Sequence, residues 1–339
     1  MPDAFFPLVV ARSALHVTAA AATAGFGRHK RWPNRSLLLD EPLALAEGKT
    51  SRLRRIYDKA GHNLWDGPAV FREAVHRHGG IQLPEEKRVA LAHVISMLTW
   101  GELAAWTVSA ELAEALEDPD ARMAASSQVF DEARHFYVLR DYLALLHVPV
   151  PRLEPYFAAA IRTLLATEDL TLKLFAMQIL AEGTAQTIFN FLAPVEPVLS
   201  EILPFIERDE ARHVGLGILH LPERLAKLTA RERRTLARRV QTIGDLLAAT
   251  QIRYVRHYRT LGLDPRELMR RADAMMVSLA EKLGRVPETG RYWFTVDDPR
   301  DESYVLKLDF ILPLDNAALP PLARALRAIV DFGARALPA

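Results

Sequence analysis

The pattern of apolar and polar positions predicts long helices in the middle of the chain. Between residues 83 and 221, long stretches lack glycine and proline, are rich in Ala, Leu and Glu, and repeat apolar residues three and four positions apart. Pro222 is expected to end the last of these stretches, and Pro204 to kink it. The helices predicted here are four long ones, over residues 84–116, 120–147, 168–192 and 197–221, and a shorter one over residues 154–166.

Weaker patterns flank this region. Residues 1–52 are punctuated by Pro and Gly, which predicts an irregular extension. The polar, β-like segment from Gly284 to Pro313 predicts a small hairpin. Further helices are predicted over residues 229–260, where Thr229 is the expected N-cap, 265–284 and 319–336.

The predicted fold class is all-α, a four-helix bundle with additional helices at both ends. One domain explains the 339 residues better than two, because the added helices extend a single bundle. The expected parts are an N-terminal extension, a core, and C-terminal helices with a tail, over residues 1–82, 83–221 and 222–339.

The composition limits which metal sites and which catalytic groups the chain can form. The chain has no cysteine, which excludes disulfides, cysteine-ligated zinc, iron–sulfur clusters and thiol catalysis. Any metal must therefore be held by His, Asp and Glu, a ligand set that suits iron or manganese and less often zinc. The net charge is +1, from 43 basic and 42 acidic residues, so the charge balance offers no basis for a nucleic-acid or membrane partner.

Neither a membrane span nor an export signal is expected. No stretch reaches about 18 uninterrupted apolar residues, the length of a membrane-spanning helix. Near the N-terminus, Asp3 stands where an export signal has a positive region, and Arg12 and His16 interrupt the apolar run. The basic run from Arg231 to Arg239 is interpreted as the solvated face of a helix. We therefore expect a cytoplasmic protein.

The strongest signal for function is an internal repeat. The pentapeptide Asp-Glu-Ala-Arg-His occurs twice, at residues 131–135 and 209–213, each time within a predicted long helix. In each copy the Glu and the His are three positions apart, so they share one helical face and can bind one metal through an oxygen and a nitrogen. Two such pairs on facing helices can bind two metals. The ligands predicted from the repeat are Glu132, His135, Glu210 and His213.

Two further carboxylates are expected from the partner helices. Glu102 and Glu182 each lie in an otherwise apolar stretch, and they precede the Glu residues of the repeat by 30 and 28 positions. In an antiparallel hairpin of that length, the chain travels about 14 residues, roughly 20 Å, before it returns to the same level. One buried Glu is also explained by a hydrogen bond, but two in register with both repeat copies fit metal ligation far better.

These residues resemble the ferritin-like di-iron carboxylate superfamily, whose pattern is a Glu from each of two helices and Glu-x-x-His from each of the other two. The resemblance covers roughly residues 83–221. The doubled Asp-Glu-x-Arg-His form is most similar to the oxygen-activating branch, which includes bacterial multicomponent monooxygenase hydroxylases and ribonucleotide-reductase-like ligand-binding oxidases. It implies a ferritin-like four-helix bundle with two Fe ions and dioxygen as co-substrate. An Mn/Fe pair stays open, because the ligand set is the same.

The resemblance also implies roles for the remaining charged residues of the repeat. Asp131 and Asp209 are expected to accept the outer N–H of a ligating His, often from the opposite hairpin, which fixes the tautomer of the imidazole. Arg134 and Arg212 are then expected to neutralise these aspartates. The alternative is that each Asp and Arg form an ordinary surface pair three residues apart.

Several branches of the superfamily fit this sequence poorly. The radical tyrosine of ribonucleotide reductase small subunits would fall at Leu139, and the additional His ligand of arylamine N-oxygenases at Ile206. The cross-linked Val and Tyr of the ligand-binding oxidases map near Ala104 and Met177. An iron-storage ferritin needs only a short bundle, whereas this chain is much longer.

The expected function is therefore that of a dioxygen-activating di-iron oxygenase or oxidase acting on a small, largely apolar organic substrate. A ferroxidase or iron-handling protein, and an N-oxygenase of an amine, stay open as alternatives. Thr184, Gln128 and Gln178 are candidates to contact substrate, bound water or an oxygen species. The expected partners are the substrate, an electron donor such as a reductase or ferredoxin, and a second copy of the chain in a homodimer.

Overall fold

The computed structural model describes residues 49–304 and residue 308 of the chain. The expected all-α class is confirmed, since the described residues form helices joined by turns and contain no strand. The helices are α1 (Lys49–His62), α2 (Gly67–His78), α3 (Glu85–Ala115), α4 (Pro119–Leu145), α5 (Pro155–Ala166), α6 (Leu170–Phe175), a π-helical segment (Ala176–Ala181), α7 (Glu182–Leu192), α8 (Pro197–Lys227), α9 (Ala230–Thr260) and α10 (Pro265–Leu283).

Local capping signals explain where several predicted helices begin. Asp118 caps α4 by accepting hydrogen bonds from the backbone N–H groups of Asp120 and Ala121. Thr229 and Glu232 form a reciprocal capping box at the start of α9. Such caps typically contribute about 1 kcal/mol each. The predicted starts of these helices are confirmed, because a cap depends only on residues within one turn.

Two antiparallel hairpins form the bundle. Helices α3 and α4 make the first hairpin; α6, the π-helical segment and α7 run antiparallel to α8 in the second. Each hairpin contributes to two apolar clusters, one at either end of the bundle, around Leu112 and Phe175 and around Leu91 and Phe189. The middle of the bundle lies between these clusters, so any polar group there is enclosed by apolar side chains.

The outer helices complete the bundle. Helices α1 and α2 pack against α4 and α8, although residues 53–82 carry no predicted helix and belong to the expected N-terminal extension. Helix α9 packs against α3 and α5, and α10 packs against α7. The missed helices are short, with few apolar residues of their own, so only packing against the bundle stabilises them.

Two helix predictions were wrong in their details. The stretch over residues 168–192 is not one α-helix, because π-helical turns interrupt it from Ala176 to Ala181. Helix α8 continues through Pro204 and Pro222 to Lys227 instead of ending at Pro222. Both prolines are exposed, so water can bind the carbonyl groups they leave without a donor, and buried neighbours keep the helix continuous.

In the predicted hairpin after Gly284, the described residues up to 304 form one isolated antiparallel bridge, between Arg285 and Tyr292, and no strand; residues 305–307 and 309–313 lie outside the described residues. Instead of extending into a strand, Trp293 and Phe294 turn inward and pack on Phe175 of the bundle. The predicted helix over residues 319–336 and most of the predicted extension lie outside the described residues.

Helix α3 is as long and apolar as a membrane-spanning helix. Within the described part of the chain it is the one helix that is long and apolar enough to cross a membrane by length and composition. However, 67% of its most apolar stretch is buried inside the bundle. The apolar character of α3 is therefore explained by its place in the core.

Candidate metal centre

The six predicted ligands lie together in the middle of the bundle, each no more than 5% exposed. They form two overlapping groups of four whose ligand atoms lie within 4.8 Å of one another. Site 1 consists of Glu102, Glu132, His135 and Glu210; site 2 consists of Glu132, Glu182, Glu210 and His213. Each of the four helices α3, α4, α7 and α8 contributes, so the centre exists only when both hairpins pack.

The imidazole of His135 defines site 1. Its Nδ1 lies 3.4 Å from Glu102 Oε2, 3.6 Å from Glu132 Oε2 and 3.1 Å from Glu210 Oε1. These four atoms come from three helices and converge on one point. Three carboxylate oxygens and one imidazole nitrogen are a donor set that suits iron or manganese.

The imidazole of His213 defines site 2 in the same way. Its Nδ1 lies 3.2 Å from Glu132 Oε1, 3.8 Å from Glu182 Oε1 and 2.9 Å from Glu210 Oε2. Glu132 and Glu210 therefore turn one oxygen toward each site, whereas Glu182 serves site 2 alone. Two shared carboxylates are the geometry expected for a pair of adjacent metal ions.

Aspartates from the opposite hairpin face the outer nitrogens of both imidazoles. His135 Nε2 lies 3.3 Å from Asp209 Oδ2, and His213 Nε2 lies 3.3 Å from Asp131 Oδ2. An outer N–H held in this way leaves the Nδ1 lone pair directed at the metal site. The structure thus places both aspartates where the resemblance led us to expect them.

Two arginines join the aspartates into one buried network. Arg134 donates to Asp131 at 2.5 Å and to Asp209 at 2.8 Å, and Arg212 donates to both aspartates at 2.7 Å. All four side chains are at most 8% exposed, so the alternative of an ordinary surface pair is wrong. Burial by itself raises the pKa of Asp209, but hydrogen bonds from His135 and Trp65 and the charge of Arg212 hold that pKa well below its usual range.

Trp65 belongs to this network, although the sequence offered no sign of it. Its indole N–H donates to Asp209 Oδ2 at 2.8 Å, and the guanidinium of Arg134 lies over its ring at 4.9 Å. Trp65 precedes α2 directly, where Asp66 caps the helix. A cap of this kind indicates where a helix begins. It carries no information about a contact between Trp65 and residues far along the chain.

Two glutamines form a chain of hydrogen bonds that ends on the carboxylates. Gln128 donates to Glu132 Oε1 at 2.9 Å and to Glu182 Oε1 at 2.7 Å. Gln178, in the π-helical segment, donates to Gln128 Oε1 at 2.8 Å. The described hydrogen bonds join Thr184 to none of the six ligands.

The centre fits a pair of divalent cations. Glu132 Oε2, Glu210 Oε1 and His135 Nδ1 are buried without a hydrogen-bond partner in the described structure. Burial and the nearby carboxylates raise the pKa of Glu102 and of Glu182 well above its ordinary value. Four carboxylates in an apolar enclosure are costly without compensating charge, and two divalent ions supply that charge while displacing the protons.

The fold and the site together define a class: a ferritin-like helical bundle with a candidate two-metal carboxylate centre. Comparisons support the fold. A tyrosine-to-phenylalanine mutant of an R2-like ligand-binding oxidase, with an aerobically reconstituted Mn/Fe cofactor, matches at 15% identity over 76% of this chain and 100% of that chain, with a TM-score of 0.57.

Two other solved structures are similar to the same extent. A second mutant of this kind, with an anaerobically reconstituted Mn/Fe cofactor, matches at 18% identity over 69% of this chain and 93% of that one, with a TM-score of 0.54. A Bacillus halodurans structure that is assigned to the class I ribonucleotide reductases matches at 17% identity over 69% of this chain and 92% of that one, with a TM-score of 0.51. No family model and no curated protein sequence matches this chain. The expected ferritin-like fold is confirmed.

Proposed function

We propose that the protein is an oxygen-activating oxidoreductase with a two-metal centre, an oxygenase or oxidase that acts on a small, largely apolar organic molecule. The observation that carries this proposal is the pair of overlapping sites that share Glu132 and Glu210. Two redox-active ions bound there would supply the electrons for dioxygen reduction. Fe/Fe and Mn/Fe pairs both suit the ligands, and the ligand-binding oxidases of the same fold carry Mn/Fe.

The residues around the centre have separable tasks in this proposal. Glu132 and Glu210 hold two cations side by side, because each carboxylate offers one oxygen to either site. Asp131 and Asp209 keep the outer nitrogen of each imidazole protonated, so that Nδ1 faces the metals. The apolar clusters at both ends of the bundle exclude water from the reaction.

Anaerobic loading followed by exposure to dioxygen tests the proposal. The chain is loaded with Fe(II), or with Mn(II) and Fe(II) together, and both the metal content and the dioxygen uptake are measured. We expect two metals per chain and uptake that requires them. The matched pair of variants is Glu210→Ala, which removes a shared ligand, and Glu207→Ala, three positions earlier on α8. Loss in both variants, or metal-free wild-type protein, would overturn the proposal.

The same experiment separates the alternatives. A ferroxidase would continue to oxidise and mineralise added Fe(II) without an organic substrate, and would assemble as a cage. The N-oxygenase alternative calls for an additional His ligand, but the corresponding Ile206 is an apolar residue buried at 0% exposure. We therefore favour the oxygenase or oxidase. An external reductase or ferredoxin as electron donor and a cytoplasmic location remain part of the proposal.

The proposal includes a homodimer, formed through the outer face of α4. Met123, Phe130 and Tyr137 recur every seven residues on that face and are 50%, 59% and 51% exposed, while every charged side chain between them is buried in the centre. Arg140 lies over the Tyr137 ring at one edge of this face, and the stretch from Met123 to Phe130 can meet its own copy without like-charge repulsion. Light scattering should show a dimer that Phe130→Glu disrupts and Val150→Glu, an equally exposed control, does not.

A further inference from the structure

The duplicated motif builds two sites that are unequal. At site 2, the oxygens of Glu132 and Glu182 that face His213 both accept a hydrogen bond from the amide nitrogen of Gln128. At site 1, the corresponding oxygens of Glu132 and Glu210 have no hydrogen-bond partner in the described part of the chain. A neutral donor therefore bonds directly to two ligand atoms of site 2, while the shared ligand oxygens of site 1 accept no hydrogen bond from the described residues.

The hydrogen bonds of Gln128 leave no N–H donor for a substrate. Its NH₂ group has two hydrogens, and Glu132 and Glu182 accept both. Its carbonyl accepts from Gln178. The side chain is 1% exposed, so water does not compete for these bonds. Gln128 therefore supports the carboxylates of the centre from within the bundle.

Gln178 supports the orientation in which the amide nitrogen of Gln128 faces the centre. An amide side chain can rotate to exchange its oxygen and nitrogen, and its neighbours decide the orientation. The carboxylates of Glu132 and Glu182 accept hydrogen bonds and Gln178 donates one, so both sets of neighbours favour this orientation. The π-helical segment brings Gln178 close to α8, where a Cβ on Gly217 would lie only 2.6 Å from the Gln178 Cβ.

We infer that Gln128 is a positioning residue that makes site 2 the tighter of the two metal sites, with Gln178 orienting its amide. The inference rests on the proposed two-metal centre. Two ligands already held in place lose less conformational freedom when a cation arrives, so site 2 fills before site 1. Supporting hydrogen bonds to metal ligands typically contribute about 10- to 100-fold in metal affinity.

The experiment measures the occupancy of each site. Wild-type protein is crystallised with one equivalent of Mn(II), and anomalous scattering gives the Mn content of sites 1 and 2; calorimetric titration with Mn(II) gives the two dissociation constants. The test variant is Gln128→Met, which has similar shape and no donor. Gln186→Met is the matched control, since Gln186 also lies four residues from a ligand Glu but has no described side-chain bond to the centre.

In the wild type we expect the Mn(II) signal at site 2 to exceed that at site 1. In Gln128→Met, site 2 should bind about 10- to 100-fold more weakly while site 1 changes less than about twofold. Gln178→Met should weaken Mn(II) binding at site 2 by a smaller factor, about two- to fivefold, because Gln128 keeps its N–H donor. This second variant also serves if Gln128→Met fails to fold.

Several results would overturn the inference. These are equal filling of the two sites in the wild type, equal weakening of both sites in Gln128→Met, or the same loss in Gln186→Met. An equal loss would mean that Gln128 acts only on the general stability of the bundle. Wild-type protein that binds no Mn(II) or Fe(II) would instead remove the proposed function itself, so the two failures are distinguishable.

Discussion

The two hairpins carry the same pentapeptide but differ in their surroundings. In the first hairpin, helices α3 and α4 are regular. In the second hairpin, the helical segment opposite α8 is interrupted by π-helical turns directly before Glu182. Those turns place Gln178 against Gln128. The comparison shows that sequence duplication reproduces a ligand set, while the packing around it determines how each ligand is held.

The second difference lies in the outer network. Asp209, which faces His135 of site 1, also accepts a hydrogen bond from Trp65. Asp131, which faces His213 of site 2, is held by the two arginines. Each site therefore has a support of its own: Trp65 behind site 1 and Gln128 beside site 2.

Removal of a shared ligand should have the largest effect on metal binding, because it takes a ligand from both sites at once. In Glu210→Ala both sites lose an oxygen, and we expect Mn(II) binding to disappear at both. Glu182→Ala should abolish binding at site 2 alone. Site-resolved anomalous scattering measures both. Retention of metal at both sites in Glu210→Ala would contradict the assignment.

Loss of one arginine should destabilise both halves equally, since each arginine bonds to both aspartates. We expect Arg212→Met and Arg134→Met each to lower the free energy of unfolding by about 3–5 kcal/mol, because the two buried aspartates then share one arginine and one negative charge is left uncompensated. Urea denaturation measures this. The control is Arg72 on α2, which is exposed and has no described side-chain bond, and Arg72→Met should change stability by less than about 0.5 kcal/mol. Similar small changes in all three variants would contradict the network.

Trp65→Phe tests the support that belongs to site 1. The ring is largely kept, but Asp209 loses the indole donor, and we expect the free energy of unfolding to fall by about 1–3 kcal/mol. Trp106→Phe is the matched control, because Trp106 is 43% exposed and has no described hydrogen bond; its change should stay within about 0.5 kcal/mol. Equal effects of the two substitutions would show that the indole N–H contributes nothing.

The smallest effect should be a pH dependence that arises where α9 packs on α3 of the first hairpin. His93 of α3 stacks on His257 of α9 at 4.1 Å. Burial, aided by the charges of His93 and Arg256, lowers the pKa of His257 to about 4. Between about pH 6.5 and 4, His257 therefore binds a proton in the unfolded chain, where a His pKa is about 6.5, but not in the folded chain. The free energy of unfolding should be unaffected by this group above about pH 6.5 and should fall as the pH drops toward 4.

The variant His257→Phe keeps a ring in the stack and removes this titration. Its free energy of unfolding should depend less steeply on pH between about 6.5 and 4 than that of the wild type. The carboxylates of the centre titrate in both proteins, so the difference between the two curves isolates His257. Parallel curves would show that His257 does not titrate in this range.

Much of the fold could be predicted, because its signals are local. The periodicity of α3 and α4 and the caps at Asp118 and Thr229 depend on residues within a few turns, and the structure reproduces those boundaries within two residues. The π-helical turns and the continuation of α8 past Pro222 could not be predicted. Both arise where burial of neighbouring side chains outweighs the local preference of the backbone.

The sequence by itself determined the chemistry of the protein: absence of cysteine, six carboxylate and imidazole ligands, and the register that brings them to one level. Only the tertiary structure decided how those ligands are held. Trp65 meets Asp209 across 144 positions, and Gln128 meets Glu182 across 54. Contacts at such separations follow from how the helices pack, because a helix repeat specifies which face a residue occupies but not which partner lies opposite it.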